Sequence, residues 1–173
     1  MSRTDLPVHH QPATSIDPGE MRSVLGHFAT GVVAVTAIDP DTGRGAGLAA
    51  NSFTSVSLHP PLVAFCVAHT SSSWPSIKRA GNFVINILAE DQEHICRQMS
   101  VKGGDKFAGL DWTPSPSGAP VLTNALAWID ATVETEHAAG DHVIVVSEVR
   151  HLRANTRDPL LFYRGRYSRL HTA

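Results

Sequence analysis

The alternation of apolar and polar residues divides the chain into short segments, most of them of strand length. Asp17, Pro18 and Glu20 open the first element. An acid at the N-cap, a proline at the first helical position and a glutamate in the first turn all suit the free N–H groups of a helix start. Met21, Val24, Leu25 and Phe28 then recur at helical spacing, which predicts a helix ending near Gly31. Residues 32–36 are a β-branched run. Turn residues Asp39, Pro40, Asp41 and Gly43 follow, then a second strand over 45–52, the two strands making a hairpin. Residues 62–67 are a continuous apolar run after two prolines, the pattern of a strand buried on both faces. Ser71, Ser72 and Ser73 before Trp74 and Pro75 predict a short helix ending before Gly81. Residues 83–88 read as a strand and 91–99 as a helix. The Gly-, Pro- and Ser-rich stretch 101–120 reads as a long loop, and loops of that length in small domains are commonly functional. Two long antiparallel strands, 128–136 and 143–149, turn at Gly140. Residues 160–163 and 167–170 close the chain through Arg164, Gly165 and Arg166.

Six or seven strands with short helical insertions predict a mainly β fold with short α-helices, an antiparallel barrel rather than a doubly wound parallel sheet. No GxGxxG follows a strand and opens a helix. Gly43, Gly45 and Gly47 alternate inside a strand–turn context, which disfavours the Rossmann route to a dinucleotide. Residues 1–16 are polar and aperiodic and read as a disordered tail, with His9 and His10 a solvated pair; residues 17–173 read as one domain. A length of 173 residues suits that reading. With 42% hydrophobic and 17% charged residues the chain is not a disordered polymer, and no apolar run reaches the ~20 residues of a membrane-spanning helix. The net charge of −2 argues against a nucleic-acid partner. Cys66 and Cys96 cannot build a disulfide framework, no CxxC spacing suggests a metal, and the N-terminus lacks the apolar stretch of a secretory signal. The expectation is a soluble cytoplasmic protein with no metal, membrane or nucleic-acid partner.

The candidate chemistry concentrates in a few places. Gly45, Ala46, Gly47, Ala49 and Ala50 leave little side chain above the backbone, and glycines inside a strand often mark close approach by a ligand or another chain. Asn51, Ser52, Thr54, Ser55 and Ser57 add neutral donors and acceptors. A flat, polar-edged heterocycle suits that combination; a tightly packed barrel corner followed by a Ser/Thr-rich loop explains the same residues. The hydroxyls of residues 70–73 at a helix start suit a phosphate, or ordinary N-capping, with Lys78 and Arg79 further along. His142 could donate to an amide, phosphate or carboxylate, or be a solvated turn residue. Residues 162–167 mix aromatic faces with guanidinium groups, suited to stacking a ring and pairing a phosphate, or forming a surface hairpin. GxSxG, HExxH and Walker sequences are absent, and Cys66 and Cys96 sit in apolar or helical contexts that suit packing. With no acid, base or nucleophile constellation, catalysis would rest on a bound cofactor.

Seven pieces in order, RSVLGHFATGVVAVT, GLAANSFTSVSLHPPLVAFCV, SSSWPSI, FVINIL, DKFAG, GDHVIVVSEV and PLLFYRGRY, resemble the short-chain flavin reductases, over residues 18–170. These are the reductase components of two-component flavin-dependent monooxygenases, with an FMN-binding split-barrel fold. The resemblance implies a homodimer that uses NADH to reduce free FMN, or FAD, for a separate monooxygenase. The implied mechanism is hydride transfer between stacked nicotinamide and flavin rings, with reacting atoms about 3–3.5 Å apart. The family's flavin contacts fall on Gly45, Ala46, Gly47, Leu48, Ala49, Asn51 and Ser52, on Cys66, Val67 and Ala68, on Ser72 and Ser73, and on Gln98 and Met99. Its nicotinamide contacts fall on His142, Phe162, Tyr163, Arg164 and Gly165, and no side chain is implied as a catalytic acid or base. Backbone N–H groups around Asn51 and Ser52 are the expected donors to the flavin's pyrimidine edge. Arg97-Gln98-Met99 departs from the family's common Arg-Arg-Phe run and removes a cation expected to favour the phosphate. Ser147, where a glycine is common, is expected on an outward face. A flavin carrier or sensor without turnover, an oxidase of the pyridoxamine-phosphate type on the same barrel, and an interaction module with no cofactor are the alternatives.

Overall fold

The computed structural model describes residues 16–170; the expected tail, His9 and His10 lie outside the described residues except for Ile16. Its elements run α1 (Pro18–Leu25), β1 (Thr30–Gly31), β2 (Val33–Ile38), β3 (Gly45–Ala50), β4 (Thr54–Leu58), β5 (Pro61–Ala68), α2 (Trp74–Ala80), β6 (Asn82–Ile87) and α3 (Glu93–Ser100). There follow β7 (Trp112–Pro114), β8 (Pro120–Leu122), β9 (Ala127–Ala139), β10 (His142–Ala154), β11 (Leu160–Tyr163) and β12 (Arg166–Arg169).

Seven strands form one antiparallel sheet in the order β3-β2-β6-β9-β10-β5-β4. Consecutive strands β3 and β4 therefore occupy opposite edges, although only residues 51–53 join them. Laid flat, those edges would stand roughly 29 Å apart at about 4.8 Å per strand, whereas the four Cα steps from Ala50 to Thr54 span at most about 14 Å. The sheet has to curl until its edges nearly meet, and they do so without pairing. This is the split of an antiparallel split barrel, and Asn51 and Ser52 lie at its seam.

The barrel interior is filled by Val33, Val35, Phe65, Val67, Phe83, Ile85 and Val145, with Trp74 and Ile77 of α2 packed into the same cluster. Phe65, Trp74 and Phe83 meet edge to face, their centroids 5.6 to 6.1 Å apart. Outside the barrel, Val32, Ala34, Leu88, Leu122 and Leu160 form a second core with Ile95, Cys96 and Met99 of α3. The β2 segment serves both cores, so its apolar run does not alternate.

Several expectations change. The first helix stops at Leu25, capped by Gly26, and residues 30–31 pair with β11 instead of continuing it. Its apolar residues Met21, Val24 and Leu25, and Phe28 beyond its end, are all exposed. The Ser/Thr-rich segment expected as a loop contains edge strand β4, and the 101–120 loop contains β7, which pairs with β8. That small hairpin has strands of three residues, one ending at Pro114 and the other opening at Pro120, too short for a period to show. Buried Asn86 holds it in place: its amide oxygen accepts from Leu122 N at 2.8 Å and its nitrogen donates to Thr36 Oγ1 at 2.9 Å. Thr36 in turn donates to the Pro120 carbonyl at 2.6 Å. Ser147 points inward, not outward. It shares the inward face of Val143, Val145 and Val149 by simple alternation, fully buried, with no partner for its hydroxyl; the nearby register shift skips Glu134 of β9 and leaves that alternation intact. Among the described residues no helix is long and apolar enough to cross a membrane.

Candidate flavin and nucleotide site

At the seam of the barrel lies a cleft of about 370 Å³. Strand register assembles it. The last residues of β3 and the connector supply Leu48, Ala49, Ala50, Asn51 and Ser52; the end of β5 supplies Cys66, Val67 and Ala68. His142 opens β10 directly opposite Ala68, and the end of α3 adds Met99 and Ser100. Thr70, Ser71, Ser72 and Ser73, from the segment before α2, also line it.

Hydrogen bonding sorts these groups into those already engaged and those free to meet a ligand. Ser52 Oγ accepts from Cys66 N at 2.8 Å, stitching the connector to β5 across the seam. The Ser52 hydroxyl and the Cys66 N–H are therefore consumed internally. At α2, Ser71 Oγ accepts from Trp74 N at 3.3 Å, while Ser73, at the N-cap position, makes no capping bond. Capping thus occupies Ser71 and leaves Ser72 and Ser73. His142 Nδ1 lies 2.7 Å from the Asp141 carboxylate, which the histidine holds below the usual carboxylate range. That contact orients the ring and leaves its other nitrogen unengaged.

Sequence reasoning missed two lysines. Lys102 and Lys106 line the cleft wall beyond α3. Lys106 is buried, 7% exposed, and donates to the carbonyls of Met99, at 3.1 Å, and of Val101. Burial pulls its ammonium below the ordinary lysine range. No aspartate or glutamate is among the residues lining the cleft. The only sequence signal was a lysine inside the DKFAG piece; that it folds back under the end of α3 is a tertiary fact.

Not every anticipated residue reaches this cleft. Gly45 and Gly47 are small for an internal reason. A Cβ on Gly45 would lie 2.1 Å from Phe107 Cδ2, and one on Gly47 2.4 Å from Met99 Sδ. Ala46 is buried in the barrel core. Gln98 does not line the cleft; its amide donates to the carbonyls of Lys106 and Ala108 at 3.1 and 3.0 Å, pinning the following loop. Phe162 and Gly165 line a separate apolar hollow with Leu25, Phe28 and Phe53. Asn51 borders both that hollow and the cleft. Arg164 and Gly165, both at positive φ, form the tight turn between β11 and β12, and the Arg164 guanidinium lies over the Tyr163 ring at 5.2 Å. Neither Tyr163 nor Arg164 lines the cleft, so the chain by itself does not bring them to His142. Cys96 is buried with Sγ 3.2 Å from Tyr167 Oη, a phenol that desolvation and the thiol push up to about 12. Among the described residues no group of three or more metal-ligating side chains is found.

The donor set fits a flavin. Alanines floor the cleft, leaving room for a planar ring, unengaged hydroxyls and cationic groups suit a phosphate, and no carboxylate opposes one.

Comparison with known proteins agrees. The chain is 49% identical over 155 residues to a flavin reductase of Pseudomonas putida, covering 89% of this chain and 91% of that protein. It is 48% identical over 157 residues to the reductase subunit HsaB of a flavin-dependent monooxygenase from Rhodococcus jostii, covering 90% of this chain and 80% of that one. The fold is similar to that of the Streptomyces globisporus NADH:FAD oxidoreductase SgcE6, solved in complex with NAD and FAD fragments, with a TM-score of 0.83. The identity is 34%, with 92% of this chain and 98% of that chain covered. Residues 25–171 match the family model described as flavin reductase like domain, so the chain belongs to the flavin reductase-like family.

Proposed function

We propose that this chain is an NADH-dependent flavin reductase that passes reduced flavin to a separate monooxygenase. The carrying observation is the seam cleft, which gathers Asn51, Ser52, Cys66, Val67, Ala68, Ser72, Ser73, Met99 and His142 from five parts of the fold. Flavin bound there supplies the ring that accepts the hydride. Ala49 and Ala50 leave the face of that ring uncovered, so a second planar ring can stack on it. Ser72 and Ser73 offer hydroxyls to the phosphate. His142, oriented by Asp141, positions the nicotinamide nucleotide and need not give up a proton, since hydride transfer between the rings requires none from it. From Asn51 the nucleotide has a path toward Phe162 and Gly165. Tyr163 and Arg164 stand at its outer end.

The working form is a homodimer. The exposed apolar face of α1, with Val24 at 65% exposure, followed by Phe28 at 77%, and Leu58 of β4 at 81%, support this reading. Isolated exposed side chains are ordinary, whereas a helix with no buried residue gains its stability from something packed on it. The flavin is FMN or FAD, and the NADH dependence agrees with a cytoplasmic setting.

The test is NADH oxidation by catalytic amounts of protein with free FMN, FAD or riboflavin. Steady turnover with at least one flavin is expected. No NADH consumption with any of the three refutes the reading, and flavin binding without turnover would leave a carrier.

A further inference from the structure

Lys106 is a buried cation without a carboxylate. Its ammonium meets only carbonyl dipoles, those of Met99 and Val101, in a wall where Lys102 and His142 are the other basic groups and no acid is present. A buried charge of that kind is costly unless a counter-charge arrives. Gln98 of α3 points away from the cleft and ties down the Lys106 and Ala108 carbonyls. The two side chains therefore clamp each other's segments. Gln98 of α3 holds the backbone of Lys106, and Lys106 holds the backbone at the end of α3. The clamp presents a fixed ammonium at the cleft.

We infer that Lys106 is the phosphate-pairing residue of the flavin site, held in place by Gln98. The inference rests on the reductase reading of this cleft. Its chemistry is one charge-assisted hydrogen bond from a partly desolvated ammonium to a phosphate oxygen. Exposed Lys102 at the mouth is screened by water and contributes less.

The test compares equilibrium affinities for FMN and riboflavin, read by quenching of flavin fluorescence, in the wild type and in Lys106→Gln, Lys106→Met and Lys106→Arg. Glutamine can still donate to the two carbonyls but carries no charge, so it separates pairing from tethering. The wild type should prefer FMN. Both neutral variants should lose on the order of 10- to 100-fold of that preference while riboflavin affinity changes little, and Lys106→Arg should retain most of it. NAD⁺ affinity, measured in parallel, should not move. An unchanged preference in Lys106→Gln overturns the assignment, as does a loss that falls on NAD⁺ instead of FMN. If neither neutral variant folds, the wild type decides: FMN but not riboflavin should shield the Lys106 amine from acetylation, read by peptide mass spectrometry, and equal shielding overturns the inference. A wild type that binds FMN and riboflavin equally overturns the Lys106 role alone. One that binds neither removes the reductase reading with it.

Discussion

Gly45→Ala separates two reasons for a strand made of small residues. If they exist to let a ligand approach, adding a methyl costs affinity; if they exist to admit the protein's own side chains, it costs stability. The geometry favours the second at this position. A Cβ on Gly45 would lie 2.1, 2.6 and 2.6 Å from Phe107 Cδ2, Cε2 and Cγ, against the 3.5–4.0 Å of an ordinary carbon contact. The ring has to retreat by roughly 1.5 Å. Trp112 is packed edge-on against it with centroids 6.2 Å apart, so the retreat disturbs a second side chain. Overpacking of this kind costs about 1–3 kcal/mol. Gly45 lies outside the left-handed region, so the reduced freedom of the unfolded chain returns about 0.4–1 kcal/mol. The net is a loss of about 1.5 kcal/mol, or a Tm lower by about 3–6 °C in a chain of this size. Urea and thermal denaturation read the stability, and fluorescence titration reads FMN affinity, which should stay within about twofold. Gly47→Ala is the matched comparison. It meets the flexible Met99 thioether, so it should cost less stability, under about 1 kcal/mol, and more affinity, because Met99 lines the cleft. A Gly45→Ala protein as stable as the wild type but unable to bind flavin would refute the packing account.

Four other outcomes are expected. His142→Ala should raise the KM for NADH by roughly 2- to 10-fold, one hydrogen bond's worth, with flavin affinity nearly unchanged; an unaltered KM removes the positioning role. Replacing Ser72 and Ser73 together by alanine should weaken FMN far more than riboflavin, and equal losses would place the phosphate elsewhere. Ser147→Ala deletes a buried hydroxyl that has no partner and should stabilise the protein by roughly 1 kcal/mol in urea denaturation; a clear loss of stability would mean the hydroxyl is satisfied in solution. The hydrogen bond from Lys78, joined by that of the Trp74 indole, holds Glu136 below the ordinary glutamate value of 4.5. Its contribution to stability is thus present above about pH 4.5 and fades as the pH falls through the lower folded-state value. Glu136→Gln should flatten that acid-side decline and change stability at pH 7 by less than about 1 kcal/mol, since Lys78 is half exposed; an unaltered decline assigns it to other carboxylates.

The sequence by itself determined the mainly β character, the hairpin turns and the places where hydroxyls and small residues cluster, because these follow from local chemistry. Asp39 closing its turn onto the N–H groups of Asp41 and Thr42, and Gly140 at positive φ between the two long strands, needed nothing beyond their neighbours. Residues 101–120 hid a hairpin because its position depends on Asn86 and Thr36, distant in sequence. Ser147 was legible in the strand's own period, since it alternates in step with Val143, Val145 and Val149, and its polar side chain alone suggested an outward face. Only the tertiary structure decided which small residues face a ligand and which face Phe107 or Met99. It alone set a lysine under the end of α3, and parted His142 from Tyr163 and Arg164 within one chain. Those facts arise where the curled sheet brings its unpaired edges together, and closure of a barrel is a property of all seven strands at once that no local pattern encodes.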